Sequence, residues 1–518
     1  MRQVQNKNLA IGALAVVLAG CGGGGGGSLT PQGSSSGIMY TQGIYLPAAQ
    51  FKGSCAVPRV GDSRDRLGTV LDEDLWLRSW TSELYLWYSE VPDINPTGYT
   101  AANYFPLLKT SAKTATGSAK DRFHFTQDTA QYEAFAQSGV QSGYGLDVEF
   151  PTMSRQHYIG FVEPGSPAAL ANIQRGAQIV TIDGTDFATG SAAALNAGLF
   201  PAKAGEMHTF VIRDLRAVTT TITMTSANVT GMPVQNVKTI ATGSGTVGYL
   251  LFNDHIATAE GQLISAINTL KAAGVGDLVL DIRYNGGGYL DIAAEAAYMI
   301  SGSNTAGHFF EKIQFNDKNP TVDPVTRQTL TPTPFYAKSL GFSAPSVPAG
   351  TTLPTLNLSK VYVLSGPGTC SASESIINGL RGAGVLVYEI GSTTCGKPYG
   401  FYAQDNCSTT YFSIEFRGIN DAGFGDYPDG FSPQNSRTPT NASLPGCSIA
   451  DDPSKALGDP AEGRLAAALA FRASGNVTCP AASGFAPDHV GIQSVRSDND
   501  VGDPLMTKSP LRENRWYR

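Results

Sequence analysis

The sequence of 518 residues is short of charge, of histidine and of long apolar runs, and each shortage excludes something. Charged residues make up 15%, with 36 Lys and Arg against 43 Asp and Glu and a net charge of -7. No basic stripe could neutralise a row of phosphates, so nucleic acid is not expected as a partner. The longest uninterrupted apolar stretch, Leu9 to Ala19, is shorter than the ~20 residues that a bilayer-spanning helix needs. The six histidines are His124, His157, His208, His255, His308 and His489, and none lies in a glycine-flanked turn of small residues. None of the cysteines forms a CxxC pair, so zinc-ligand spacing is missing, and neither a metal nor another cofactor is expected. No strand leads into a G-x-S-x-G elbow, which argues against an ordinary lipase or esterase.

Glycine and proline are plentiful, at 59 and 30, and the length implies several domains. Arg2 and Lys7 precede the apolar stretch, which ends Leu18-Ala19-Gly20-Cys21, the pattern of an export signal. This ending resembles the lipobox of bacterial lipoproteins, which implies acylation of Cys21 and a mature chain held in the cell envelope by lipid. The outer membrane is the expected location, facing the periplasm or the cell surface. Residues 1–21 are then a signal peptide, and 22–54, opening with Gly22 to Gly27, a flexible linker. Export favours disulfides among Cys55, Cys370, Cys395, Cys407, Cys447 and Cys479. Sequence proximity suggests Cys395 with Cys407 across a hairpin and Cys447 with Cys479 around a helix. Cys370 and Cys395 stay open between core thiols and a bridge.

Residues 55–137 read as a small helical domain. In 72–87, Leu75, Leu77, Trp80, Leu84 and Trp87 recur at helical spacing. Residues 138–232 read as strands and turns, with Tyr158–Val162, the turn at Pro164–Pro167, a short helix after it and a strand ending at Asp183-Gly184. The order resembles a PDZ domain of the bacterial protease type, which implies that Tyr144, Gly145 and Leu146 present backbone N–H groups to a peptide that adds as a strand. From 236 to 479 strand and helix patterns alternate: strands Val247–Phe252, Leu278–Arg283, Val361–Ser365 and Val385–Ile390, with helices between them. That alternation is an α/β core. Asp459-Pro460 reads as the start of a late helix, and 480–518 as poorly ordered. The fold class is thus multidomain: a helical N-terminal domain, a PDZ-like β-rich domain and an α/β catalytic core of strand–helix units.

A nucleophilic serine needs a base, oxyanion donors and a place at a strand-to-helix turn. Leu364-Ser-Gly-Pro-Gly-Thr-Cys-Ser371-Ala-Ser-Glu374 offers that turn. At a helix N-terminus the N–H of Ala372 is available to an oxyanion. A second donor is expected from Gly287 or Gly288 behind the strand 278–283. For a base, Lys397 in Cys395-Gly396-Lys397-Pro398 follows the next strand, although a lysine in a turn is by itself an ordinary surface residue.

Three motifs, in order, carry a more specific resemblance over about Asp72 to Arg472: Asp281-Ile-Arg-Tyr-Asn-Gly-Gly-Gly288, Ser371-Ala-Ser-Glu374 and Thr394-Cys-Gly-Lys397. They resemble the motifs of the C-terminal processing, or tail-specific, serine peptidases. The resemblance implies Ser371 as nucleophile and Lys397 as base, acting on protein or peptide substrates with accessible C-termini. Two departures stand out. The separation 397 − 371 = 26 is one residue longer than the family's usual spacing, and Phe401 replaces the glutamine that follows the lysine in relatives. Gln404 is the nearest polar substitute in sequence. The alternative reading is a catalytically weak or inactive lipoprotein that binds peptide tails. A third is an acyl hydrolase or sugar-binding lipoprotein on a related core.

Overall fold

A computed structural model describes residues 39–150 and 155–483, with three short pieces at 494–495, 505–506 and 515–516. The expected signal segment and Cys21 lie outside these residues. At the centre is a six-stranded sheet in the order Val234–Thr242, Gly245–Phe252, Asp277–Asp281, Lys360–Ser365, Leu386–Gly391, Gly446–Ser448. The first pair is antiparallel and every later pair is parallel. Alternate side chains explain the two buried faces. Leu250, Phe252, Leu278, Leu280, Val361 and Val363 pack against the helices Ala259–Ala272, Leu290–Ser301 and Ala372–Gly382. Tyr249, Leu251, Val279, Tyr362 and Leu364 meet Leu465, Ala468 and Phe471 of the helix Gly463–Ala473 on the other face. Burial on both sides is why these strands read as unbroken apolar runs. Because the central strands are parallel, the turns after Asp281, Ser365 and Gly391 open at one edge, where α/β sheets bind ligands.

Residues 140–230 have their own core, built on Tyr144, Ile159, Ile179, Ile182, Leu195 and Phe210. It holds the hairpin Leu146–Glu149 with Tyr158–Val162, a four-stranded sheet and the helix Ala192–Leu199. Val140–Gly143 pairs with Ala227–Thr230, which brings entry and exit together.

The structure corrects several expectations. The helix Val70–Leu84 forms as its spacing predicts, capped by Thr69, whose side chain accepts from the Asp72 N–H. Its aromatic cluster is not self-contained: Trp76 and Trp80 stack 5.1 Å apart and Tyr411, from beyond the lysine motif, meets Trp76 edge-on at 5.2 Å. Trp87 lies past the helix and packs on Tyr399. The strand Phe125–Asp128 pairs with Thr409–Phe412. The described part of the expected linker, 39–54, is packed rather than free, with Phe51 buried and Arg78 donating to the Ile44 carbonyl. The bridges are Cys55–Cys407, Cys370–Cys395 and Cys447–Cys479. The expected Cys395–Cys407 bridge is therefore wrong. Cys407 occupies the turn of the hairpin Gln404–Asn406 with Thr409–Phe412, facing Cys55, and Cys395 lies at the sheet edge beside Cys370. The late helix starts at Gly463 with Glu462, not Asp459, as its cap, because the Glu462 carboxylate is fixed by Arg283 and accepts from the Leu465 N–H. Within 480–518, expected to be poorly ordered, the short pieces form strands and Leu505 is fully buried.

Candidate active site

Three turns meet at the edge of the central sheet. The strand Lys360–Ser365 runs through Gly366-Pro-Gly into Ser371, the residue before the helix Ala372–Gly382. Ser371 holds φ 61°, a conformation that costs a non-glycine residue ~1–3 kcal/mol and that clusters at functional sites. Its side chain is fully buried, and Oγ has no hydrogen-bond partner among the described residues. Ser373, the other serine of the motif, is committed: its Oγ donates to the Asn285 carbonyl at 3.0 Å. The two serines are thereby distinguished by geometry.

The turn after Asp281 lies directly against Ser371. A Cβ on Gly287 would stand 2.8 Å from Ser371 Cβ and 3.0 Å from the Ala372 nitrogen, so only glycine fits. Asn285 organises this turn. Its carbonyl accepts from the Cys370 N–H, its Oδ1 accepts from the Gly287 N–H at 2.9 Å, and its Nδ2 donates to the Phe252 carbonyl. The Gly287 N–H is thus already engaged, which leaves Ala372 and Gly288 as the better-suited donors. His255, far from the three motifs in sequence, belongs to this shell. Its backbone brackets Gly288, and its Nδ1 donates to Asn285 Oδ1 at 3.0 Å. Burial pushes the ring down to about 3, against the hydrogen bonds, so it is neutral at physiological pH.

Lys397 comes from the turn after Leu386–Gly391 and is fully buried. Its Nζ lies 5.0 Å from the Phe123 ring centroid and 4.4 Å from that of Phe401. Phe401 therefore takes an aromatic place beside the amine. Gln404 does not compensate, because its Oε1 accepts from Lys52 Nζ instead.

Glu374 joins the two turns. One oxygen accepts from the Ser371 N–H at 3.0 Å and the Lys397 N–H at 2.8 Å; the other accepts from the Gly396 N–H at 2.8 Å and Thr394 Oγ1 at 2.5 Å. Burial raises its carboxyl above the ordinary range, against these bonds. The Cys370–Cys395 bridge adds a covalent tie between the residue before Ser371 and the lysine loop. Behind the turns, fully buried Arg283 binds Asp281, Asp451 and Glu462. Arg175, from the β-rich unit, donates to Asp451 Oδ1 at 2.8 Å and to the Tyr284 hydroxyl. Burial pushes Asp451 up, but Arg283, Arg175 and Arg464 hold it well below the carboxylate range. This network joins the β-rich unit to the edge of the central sheet where the three turns meet.

The structure thus brings together Ser371, Ala372, Gly287, Gly288 and Lys397. Tyr144, Gly145 and Leu146 lie apart from them, lining a cavity with Leu199 and Phe200. Gly145 has φ +74°, and a Cβ there would meet Ser166 Cβ at 2.3 Å.

The site defines an α/β protein with a strained serine at a helix start and a buried lysine tied to it. Residues 246–400 match the model of peptidase family S41. A carboxyl-terminal-processing protease of Picosynechococcus sp. is 28% identical over 264 residues, covering 50% of this chain and 55% of the relative. One from Synechocystis sp. is 28% identical over 160 residues, covering 31% and 38%. The matches thus span about half or less of these curated relatives. A crystal structure of a Bacteroides fragilis protein assigned to the S41 proteases superposes with TM-score 0.56 at 22% identity, over 78% of this chain and 98% of that one. Over residues 246–400 the chain is similar to peptidase family S41.

Proposed function

We propose that the chain is a serine endopeptidase of the C-terminal processing type, cutting exposed or unfolded C-terminal segments of extracytoplasmic proteins through a Ser371–Lys397 dyad. The observation that carries this reading is Glu374, whose single carboxylate holds the backbone of both residues. Neutral Lys397 takes the Ser371 hydroxyl proton as Oγ forms a bond to the scissile carbonyl carbon. The N–H groups of Ala372 and Gly288 bind the oxyanion. The lysine ammonium then protonates the leaving amine as the C–N bond breaks, and water hydrolyses the acyl ester to release the acid and free serine. Lysine can serve as a base only when neutral, and Lys397 is fully buried beside Phe123 and Phe401. The β-rich unit is read as a PDZ-like module that receives the peptide at Tyr144–Leu146, and Cys21 as the site of a lipid anchor in the bacterial envelope.

The test is digestion of an unfolded protein such as reduced casein by the wild-type chain, Ser371→Ala and Lys397→Ala. Both variants should lose cleavage, and Lys397→Ala should also lose labelling of Ser371 by a serine-reactive fluorophosphonate. Cleavage retained by Ser371→Ala would refute the assignment. Release of the protein from membranes by Cys21→Ser tests the anchor.

A further inference from the structure

A smaller sheet lies beside the lysine turn. Its strands run in the order Thr333–Pro334, Phe309–Gln314, Phe416–Ile419, Tyr399–Gly400, and the last of them begins two residues past Lys397. Lys312 and Arg417 are exposed between buried neighbours on the two middle strands, so both point outward from the sheet. The register sets Lys312 opposite Ile419, Gln314 opposite Arg417, and Arg417 in turn opposite Tyr399. Lys312, Arg417 and Tyr399 line a cavity of 770 Å³ together with Trp87, which meets Tyr399 edge-on at 4.8 Å. Tyr399 packs in one apolar cluster with Cys370 and Cys395, so one wall of the cavity is anchored on the bridge between the serine and lysine turns. The charges in the cavity differ in how far they are engaged. Lys120 is held by Glu90 at 2.6 Å, and Asp317, the one carboxylate among the lining residues, accepts from the Tyr88 hydroxyl at 2.9 Å. Arg417 donates its Nε–H to Gln314 Oε1 at 2.9 Å, and among the described residues neither Arg417 nor Lys312 forms an ion pair. These are two uncommitted cations in one cavity of a chain whose net charge is -7.

We propose that this cavity is a subsite for an acidic stretch of the substrate, in which Asp or Glu side chains at alternate positions meet Lys312 and Arg417. The spacing supports alternate positions. Lys312 and Arg417 are diagonal neighbours across an antiparallel pair, which places them ~7–8 Å apart. Side chains two apart on an extended peptide stand ~6.8 Å apart on one face. Two cations at separate points select a pair of side-chain carboxylates over the single carboxylate of a chain terminus. The inference rests on the peptidase reading and deepens it by naming a substrate class: polypeptides with an acidic segment near the cleaved bond.

The experiment measures binding in the Ser371→Ala chain, so its outcome is separable from that of the cleavage test. Fluorescein-labelled unstructured peptides that carry Glu, Gln or Lys at alternate positions, each with a free and an amidated C-terminus, are titrated by fluorescence anisotropy. The Glu peptide should bind about fivefold tighter than the Gln peptide at low salt, the worth of two exposed ion pairs. The preference should vanish at ~1 M salt, where the screening length is ~3 Å. Adding Lys312→Glu with Arg417→Glu should reverse the order, so that the Lys peptide binds tightest. Lys312→Gln with Arg417→Gln should bind all three alike, and carries the test if the reversed charges impair folding. Equal binding of the three peptides by Ser371→Ala, or a Glu preference that survives in either double variant, overturns the proposal. A preference confined to peptides with a free C-terminus also overturns it, because amidated peptides keep the same side chains. If the wild-type chain shows no Ser371-dependent cleavage while the charge preference holds, the peptidase reading fails and the acidic-peptide subsite stands.

Discussion

Replacing Gly287 by alanine places a methyl group against the Cβ of Ser371, the proposed nucleophile. The new Cβ would be 2.8 Å from Ser371 Cβ and 3.0 Å from both the Ala372 nitrogen and the Cys370 carbonyl oxygen. Carbon atoms in contact prefer ~3.5–4.0 Å, so the nucleophile turn must retreat by roughly 0.7–1.2 Å. A displacement of about 1 Å at a catalytic group costs ~10²-fold in rate. The backbone adds its own penalty, since φ at Gly287 is +106° and alanine there costs about 1–3 kcal/mol. Gly245→Ala separates the two effects. Its φ is +109°, but the nearest atom to a new Cβ, on Arg472, is 3.9 Å away. In thermal melts Gly245→Ala should show the backbone penalty alone and Gly287→Ala a larger loss, because the clash adds to it. Only Gly287→Ala should lose kcat, by ~10²-fold, on a quenched-fluorescent unfolded substrate, with KM nearly unchanged because the cavity by Tyr144, the proposed peptide site, is not touched. A folded Gly287→Ala chain with kcat within threefold of wild type would show that the turn does not support the nucleophile.

Lys397→Arg should lower kcat by ~10²–10⁴-fold, the usual contribution of a general base, because arginine keeps its proton in any protein environment; near-normal turnover would return the search for a base to residues such as His255. Replacing both Cys370 and Cys395 by serine removes a bridge across 25 positions and should cost about 2–4 kcal/mol in denaturant melts, while measurable kcat survives because Glu374 still holds both turns. Glu389 is fully buried, and burial pushes its carboxyl up to about 8 from 4.5. Between those values the unfolded chain is ionised and the native one protonated, so this group's stabilisation is complete below pH 4.5 and is lost as pH rises to about 8. Glu389→Gln should accordingly flatten the fall of Tm between pH 5 and 8; an unchanged slope would mean that Glu389 titrates normally.

The central sheet was legible because strands buried on both faces read as apolar runs, and strand and helix periods alternate between them. The position of Ser371 before a helix was legible because glycines after a strand and a Ser-x-x-Glu start announce a helix N-terminus. That pattern also hid something. Glu374 reads as a local capping residue, yet three of its four bonds come from Thr394, Gly396 and Lys397 across a loop. His255 and Phe123 were invisible for a related reason: neither is near the catalytic motifs in sequence, and only tertiary packing sets one against Gly288 and the other over Lys397. The cysteine pairing failed where nearness in sequence was used in place of geometry. A hairpin turn points Cys407 outward to Cys55, and no local signal records the approach of a residue 352 positions earlier.

That long-range bridge bears on how the molecule is made. Synthesis runs from the N-terminus towards the C-terminus, so Cys55 emerges long before its partner. Cys370 and Cys395 both appear before Cys407, and either could capture the waiting thiol first. Such a capture would tie the earliest segment to a catalytic turn and leave Cys407 unmatched. Correct assembly therefore depends on Cys370 and Cys395 finding each other while Cys55 stays reduced or is freed by exchange. Once closed, the bridge turns residues 55–407 into a covalent ring that includes the β-rich unit, Ser371 and Lys397. A single nick within that ring would leave both fragments joined until a reductant is added.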